Sequence, residues 1–78
     1  MVFDKVKQII SEQFNISEDE LTLYTSFADD LNADSLDLFQ IIMAIEEEFE
    51  IEISNEEAEK VATVADVVEY IKEQKGLD

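Results

Sequence analysis

The residues of this chain with the most chemistry in them stand in one short run, Asp34-Ser35-Leu36-Asp37. With Asp34 as an N-cap and Asp37 at the third helical position, two carboxylates satisfy the unpaired N–H groups of a helix start, an aspartate version of the capping box. Ser35 is then not needed as a cap, and its hydroxyl projects from the first turn. Unpaired N–H groups and the positive end of the helix dipole favour an attached anion there by roughly 0.3–1 kcal/mol, so a phosphodiester on Ser35 would sit well. The plainer reading is an ordinary N-terminal serine, which is the commoner occurrence.

A second pattern overlaps the first. Asp30-x-Asn32-x-Asp34 spells the first three ligand positions of an EF-hand calcium loop. The remainder of that loop is absent, because Ser35 stands at the turn glycine and Ile41 where the bidentate glutamate belongs. No dedicated metal site is expected. Weak divalent binding by clustered carboxylates would still relieve self-repulsion in so acidic a chain.

The missing residue types narrow the chemistry further. The chain has neither cysteine nor histidine, which removes the commonest general base, a thiol nucleophile and the two best transition-metal ligands. No acid–base pair with a positioned nucleophile can be assembled from what is left, so an enzyme is not expected. The balance of 21 acidic against 5 basic residues, a formal net charge of -16, argues against nucleic acid, which needs a basic footprint. Disorder is the usual fate of a very acidic chain, but a hydrophobic content of 46% in periodic blocks is too high for it. The charge instead solvates the surface and steers basic partners. No apolar run is long enough to span a bilayer, and Met1-Val2-Phe3-Asp4-Lys5 lacks the layout of a signal peptide. The expectation is a complete, cytoplasmic, monomeric protein.

The helix that Asp34 opens organises the rest. At ~100° per residue, residues 35 to 49 place Leu38, Ile41, Ile42, Ile45 and Phe49 on one face. Leu36, Phe39 and Met43 fall opposite, with Gln40 and Glu47, while Asp37, Glu46 and Glu48 line the flanks. A helix apolar on two sides is either sandwiched or presents its second stripe as a docking surface rimmed by acids. Its 78 residues make one domain, 1–78, near the lower size at which one core suffices without staples.

Around it, residues 2 to 14 carry Phe3, Val6, Ile10 and Phe14 on one side of a first helix, with Asn15 as a left-handed stop. Ser17-Glu18-Asp19-Glu20 has capping-box spacing for a single turn. The connection onward to Ala33 is long, and Ile16, Leu21, Leu23, Phe27 and Leu31 are its expected pins. After Phe49, Ile51-Glu52-Ile53 reads as an extended link with both isoleucines inward. Ser54-Asn55-Glu56-Glu57 is a capping box for a short helix to about Lys60. Thr63-Val64-Ala65-Asp66 repeats the signal for a last helix with Val64, Val67, Val68 and Ile71 as its stripe, Lys72 and Lys75 in its final turn and Gly76 as its stop. The predicted fold is all-α: an irregular four-helix bundle, three longer helices and one short, with a long packed loop between the first two.

At these residues the chain resembles the acyl carrier proteins. The likeness is carried by Leu31-Asn32-Ala33-Asp34-Ser35-Leu36-Asp37, by Met43-Ala44-Ile45-Glu46-Glu47-Glu48-Phe49, by Glu56-Glu57-Ala58-Glu59-Lys60-Val61 and by Thr63-Val64, in order along nearly the whole chain. The resemblance implies that Ser35 carries a 4'-phosphopantetheine arm, placed by a phosphopantetheinyl transferase from coenzyme A. The arm's thiol, which the chain itself lacks, would hold an acyl chain as a thioester for enzymes of fatty acid biosynthesis. It also implies that acyltransferases, synthases and reductases with basic patches dock on Asp34, Leu36, Asp37, Gln40, Met43, Glu46 and Glu47, the apolar residues giving contact and the acids steering. Core residues such as Ile45, Val61 and Ile71 would double as a lining for the acyl chain, or serve as plain core. The chain departs from the family's habit at Asn32, where glycine is common, at Gln40, where glutamate is common, at the bulky Leu38-Phe39 pair, and at Ser54, where proline is frequent. A specialised carrier for polyketide or cell-wall and lipid acylation, and an unmodified acidic adaptor, stand as alternatives.

Overall fold

A first helix forms because apolar side chains recur at Val2, Val6 and Ile10, one every four residues, which gathers them into a buried stripe. In a computed structural model describing residues 2–76, this helix, α1, spans Val2–Phe14. It ends at Asn15, whose φ of 58° is the left-handed geometry asparagine tolerates. A single 3-10 turn at Glu18–Glu20 follows under the Ser17 capping box. Helix α2 spans Ser35–Phe49, α3 Asn55–Lys60 and α4 Val64–Lys75. The described residues thus form the three longer helices and one short helix that periodicity and capping signals predict.

Two pairs of side chains fix the direction of α1 against α2. Lys5 at the start of α1 pairs with Glu48 at the end of α2, at 3.8 Å, and Gln13 donates to Gln40. The two helices therefore run antiparallel, as a long connection between side-by-side helices requires. Between them and α4 lies the core: Val6, Ile10, Ile41, Ile45, Val64 and Ile71 are wholly shielded from solvent. Burial of each side chain is worth about 1.5–3 kcal/mol relative to exposure. Val64, Val67, Val68 and Ile71 all turn inward, as their spacing predicts.

The long connection between α1 and α2 is held in a way its apolar residues do not reveal. Phe27 and Leu21 are buried, and Ile16 and Leu31 pack partly against the core. Leu23, expected as a further pin, is instead exposed. The anchor there is its backbone: the Leu23 carbonyl accepts from Ala65 N–H at 2.9 Å, the Thr25 carbonyl from Val64 at 3.0 Å, and Phe27 N–H donates to Ala62 at 3.0 Å. Ser26 and Thr63 form an isolated antiparallel bridge within this run. Thr25 is buried too, its hydroxyl accepting from Thr22 N–H at 2.9 Å, which satisfies an oxygen that burial would otherwise penalise. The loop is thus strapped to the α3–α4 junction by main-chain bonds.

Most helix ends follow their chemistry. Thr63 and Asp66 close a reciprocal box at the start of α4, and Gly76 closes its end at φ 67°. At α3 the expected box is half made, because Ser54 Oγ accepts from Glu57 N–H at 3.2 Å while no return bond from Glu57 to Ser54 forms. Glu57 Oε1 instead lies 3.9 Å from Lys60 Nζ. Ile51 and Ile53 pack partly against the core from the extended link, as anticipated.

Candidate functional site

The turn that presents Ser35 is built from three successive devices. Asn32 takes a left-handed φ of 53°, a geometry asparagine tolerates. Ala33 N–H donates to the Phe27 carbonyl at 2.8 Å, tying the approach to the strapped loop. Asp34 then sits in extended geometry as the N-cap of α2. Its Oδ1 accepts from Asp37 N–H at 2.9 Å, and Asp37 Oδ2 accepts from Asp34 N–H at 3.3 Å. Ser35 is the first helical residue and is exposed. Among the described residues its hydroxyl makes no hydrogen bond, so the oxygen is both accessible and uncommitted.

The stripe beyond Ser35 faces solvent. Leu36 and Met43 are 65% and 61% exposed, and Phe39 is 38% exposed. Of the two readings of a doubly apolar helix, the isolated chain therefore shows the open surface and not the sandwich. Glu47 is exposed and borders a groove of about 420 Å³ with Ile9, Glu12, Gln13, Ala44 and Glu48, between α1 and α2. Besides Asp34 and Asp37, two more of the sequence-selected residues are already engaged within the molecule. Gln40 bridges to α1 through Gln13, and Glu46 Oε2 accepts from Ile53 N–H at 2.8 Å.

The acids of the calcium-loop spacing are engaged with the backbone. Asp30 Oδ2 accepts from Ser26 N–H at 2.7 Å and Asp34 is bound to Asp37, so both carboxylates serve their own backbone. Among the described residues no group of three or more acids gathers in a metal-holding arrangement.

Ile45 and Ile71 lie in the packed core. Val61 is half-buried at the edge of a shallow cleft of about 180 Å³ that also includes Glu57, Lys60, Asp66, Glu69, Tyr70 and Glu73. Tyr70 went unnoticed in the sequence, where it is one aromatic on the margin of an amphipathic helix. Its hydroxyl donates to the Glu52 carbonyl at 3.1 Å. Burial raises its phenol above the ordinary value, and the charges of Glu57, Glu46 and Glu73 raise it further.

The geometry defines a class: a small helical bundle that offers one free hydroxyl on a capped turn beside an apolar stripe rimmed by acids. Residues 4–71 match the family described as a phosphopantetheine attachment site. The chain is 60% identical over 72 residues to the acyl carrier protein of Clostridium acetobutylicum, covering 92% of this chain and 94% of that one. It is 56% identical over 72 residues to the acyl carrier protein of Clostridium perfringens strain SM101, covering 92% and 95%. The chain belongs to the acyl carrier protein family, whose members bear phosphopantetheine and act as carriers, not catalysts.

The residues fit that prosthetic group. A phosphodiester on the first-turn hydroxyl of Ser35 would meet the positive end of α2, and Asp34 and Asp37 hydrogen-bond to each other's backbone and not to Ser35. When bound, the group supplies the thiol that a chain without cysteine lacks.

Proposed function

We propose that Ser35 is the residue that bears the 4'-phosphopantetheine arm and that the chain, as a single carrier domain, delivers thioester-bound acyl groups to the enzymes of fatty acid biosynthesis. The observation that carries this reading is the uncommitted Ser35 hydroxyl beside a reciprocal Asp34–Asp37 cap. A capping serine would have its oxygen tied to the backbone. Here the aspartates do that work and the serine stays available to a transferase.

Partner selection falls to the open face of α2. Leu36 and Met43 offer apolar contact, and Asp34, Asp37 and Glu47 present negative charge that steers basic surfaces and sets their register. Gln40 and Glu46 belong to the same face, though both also hold the bundle together. The partners are a phosphopantetheinyl transferase first, then acyltransferases, synthases and reductases with basic docking patches. No helix among the described residues is long and apolar enough to cross a membrane.

The test is the intact mass of the protein before and after incubation with coenzyme A and a broad-specificity phosphopantetheinyl transferase. One phosphopantetheine increment is expected for the parent and none for Ser35→Ala. An increment that persists in Ser35→Ala refutes the site.

A further inference from the structure

One peptide group in the link between α2 and α3 is held at both of its ends by side chains from two different helices. The N–H of Ile53 donates to Glu46 Oε2, on α2, at 2.8 Å. The carbonyl on the other side of that same peptide, belonging to Glu52, accepts from the Tyr70 hydroxyl, on α4, at 3.1 Å. Among the described residues, these are the hydrogen bonds that join residues 52–61 to the rest of the bundle. Every other bond made by this segment is internal: Ala58 N–H to Ser54, Val61 N–H to Ala58, and Glu57 N–H to the Ser54 hydroxyl.

The segment has little else to keep it in place. Helix α3 is six residues long and buries one of them, Ala58. A helix so short has no stability of its own in water and depends on tertiary contacts. Ile53 and Val61 pack only partly against the core. Residues with few buried apolar contacts are those that open locally without global unfolding.

We infer that the Glu52–Ile53 peptide is a latch: Glu46 and Tyr70 together set how often the link and α3 swing away from α2 and α4 while the α1–α2–α4 core stays folded. Glu46 is a positioning residue in this device. Its carboxylate orients the Ile53 N–H, and its own backbone carbonyl accepts from Ile51 N–H at 3.2 Å, so the residue fixes the link at two points.

The experiment is amide hydrogen exchange on the full chain, comparing the parent with Glu46→Ala and Tyr70→Phe. Tyr70 is half-buried and its phenylalanine variant keeps the ring, so that variant loses the hydroxyl alone. Removal of either bond is expected to speed exchange at Ile53 and through α3 by roughly tenfold, the effect of losing about one hydrogen bond. The amides of Ile10 and Val68 are expected to exchange at the parent rate. Unchanged exchange in α3 would overturn the latch, and so would an equal acceleration in α1 and α4, which would make these bonds ordinary supports of the whole fold.

Discussion

Asp34 and Asp37 cap each other across the first turn of α2, each carboxylate accepting from the other's backbone N–H at 2.9 and 3.3 Å. The reciprocity is what leaves Ser35, between them, with a free hydroxyl. It also sets the orientation of that hydroxyl through a turn of backbone that is already hydrogen-bonded. Replacing the N-cap, Asp34, by alanine should lower stability by about 1 kcal/mol. Denaturant unfolding followed by helical circular dichroism reads that loss. Phosphopantetheine transfer should slow as well, because the first turn frays around the acceptor.

Ser35→Ala makes the complementary prediction. The side chain is exposed and makes no hydrogen bond among the described residues, so its removal should leave stability within about 0.5 kcal/mol of the parent. Thermal unfolding should show this, while modification is abolished. A Ser35→Ala protein that unfolds much more easily than the parent would reassign the serine to a structural role.

Met43→Glu tests the open stripe. Met43 is 61% exposed, so a carboxylate there costs little in folding but interrupts the exposed apolar stripe that Leu36 and Phe39 begin. Steady-state rates of modification and acyl transfer should fall with the unfolding midpoint held. Rates equal to the parent's would remove the stripe from partner docking.

Ile45→Ala tests the core beneath the same helix. Ile45 is fully buried, and truncating a buried isoleucine to alanine costs about 2–5 kcal/mol. For a domain of this size, whose net stability is small to begin with, that should depress the thermal midpoint strongly.

Tyr70 gives a pH dependence with a definite sign. Burial, with help from Glu57, Glu46 and Glu73, raises its phenol above the ordinary 10.0. The unfolded chain therefore releases this proton first. The contribution to stability is complete below the ordinary value and is lost as pH rises through the raised, folded one. Denaturant midpoints measured near neutrality and again above pH 10 should show a smaller alkaline loss in Tyr70→Phe than in the parent.

Much of this molecule is legible in its sequence because helices announce themselves locally. The stripe Val64, Val67, Val68, Ile71 and the boxes at Ser17, Asp34 and Thr63 act within a few residues, and each lies where its spacing places it. Illegible are the contacts made between distant segments. The strap of Leu23, Thr25 and Phe27 onto residues 62–65 uses backbone groups, which every residue type possesses, so no side-chain pattern marks it. Leu23 misleads for that reason, its carbonyl and not its side chain being the anchor. Glu50 ends α2 at a left-handed φ of 54°, a position where glycine or asparagine would have been the signal. Glu46 reads as one acid in a solvated run of three, and only the fold brings Ile53 to it. For the proposed site, capping leaves Ser35 free at the helix start, and the resemblance supplies the role proposed for it. The division of α2 between residues that face partners and residues that hold the bundle needs three dimensions.

Fragment-ion mass spectrometry of the modified protein locates the arm, because the chain has five serines and three threonines that could accept the group. The account predicts that phosphopantetheine resides wholly on the fragment containing Ser35, and that the arm's thiol then takes an acyl group. An arm found on Ser11, Ser17, Ser26, Ser54 or a threonine, or a folded chain that accepts none, would contradict it.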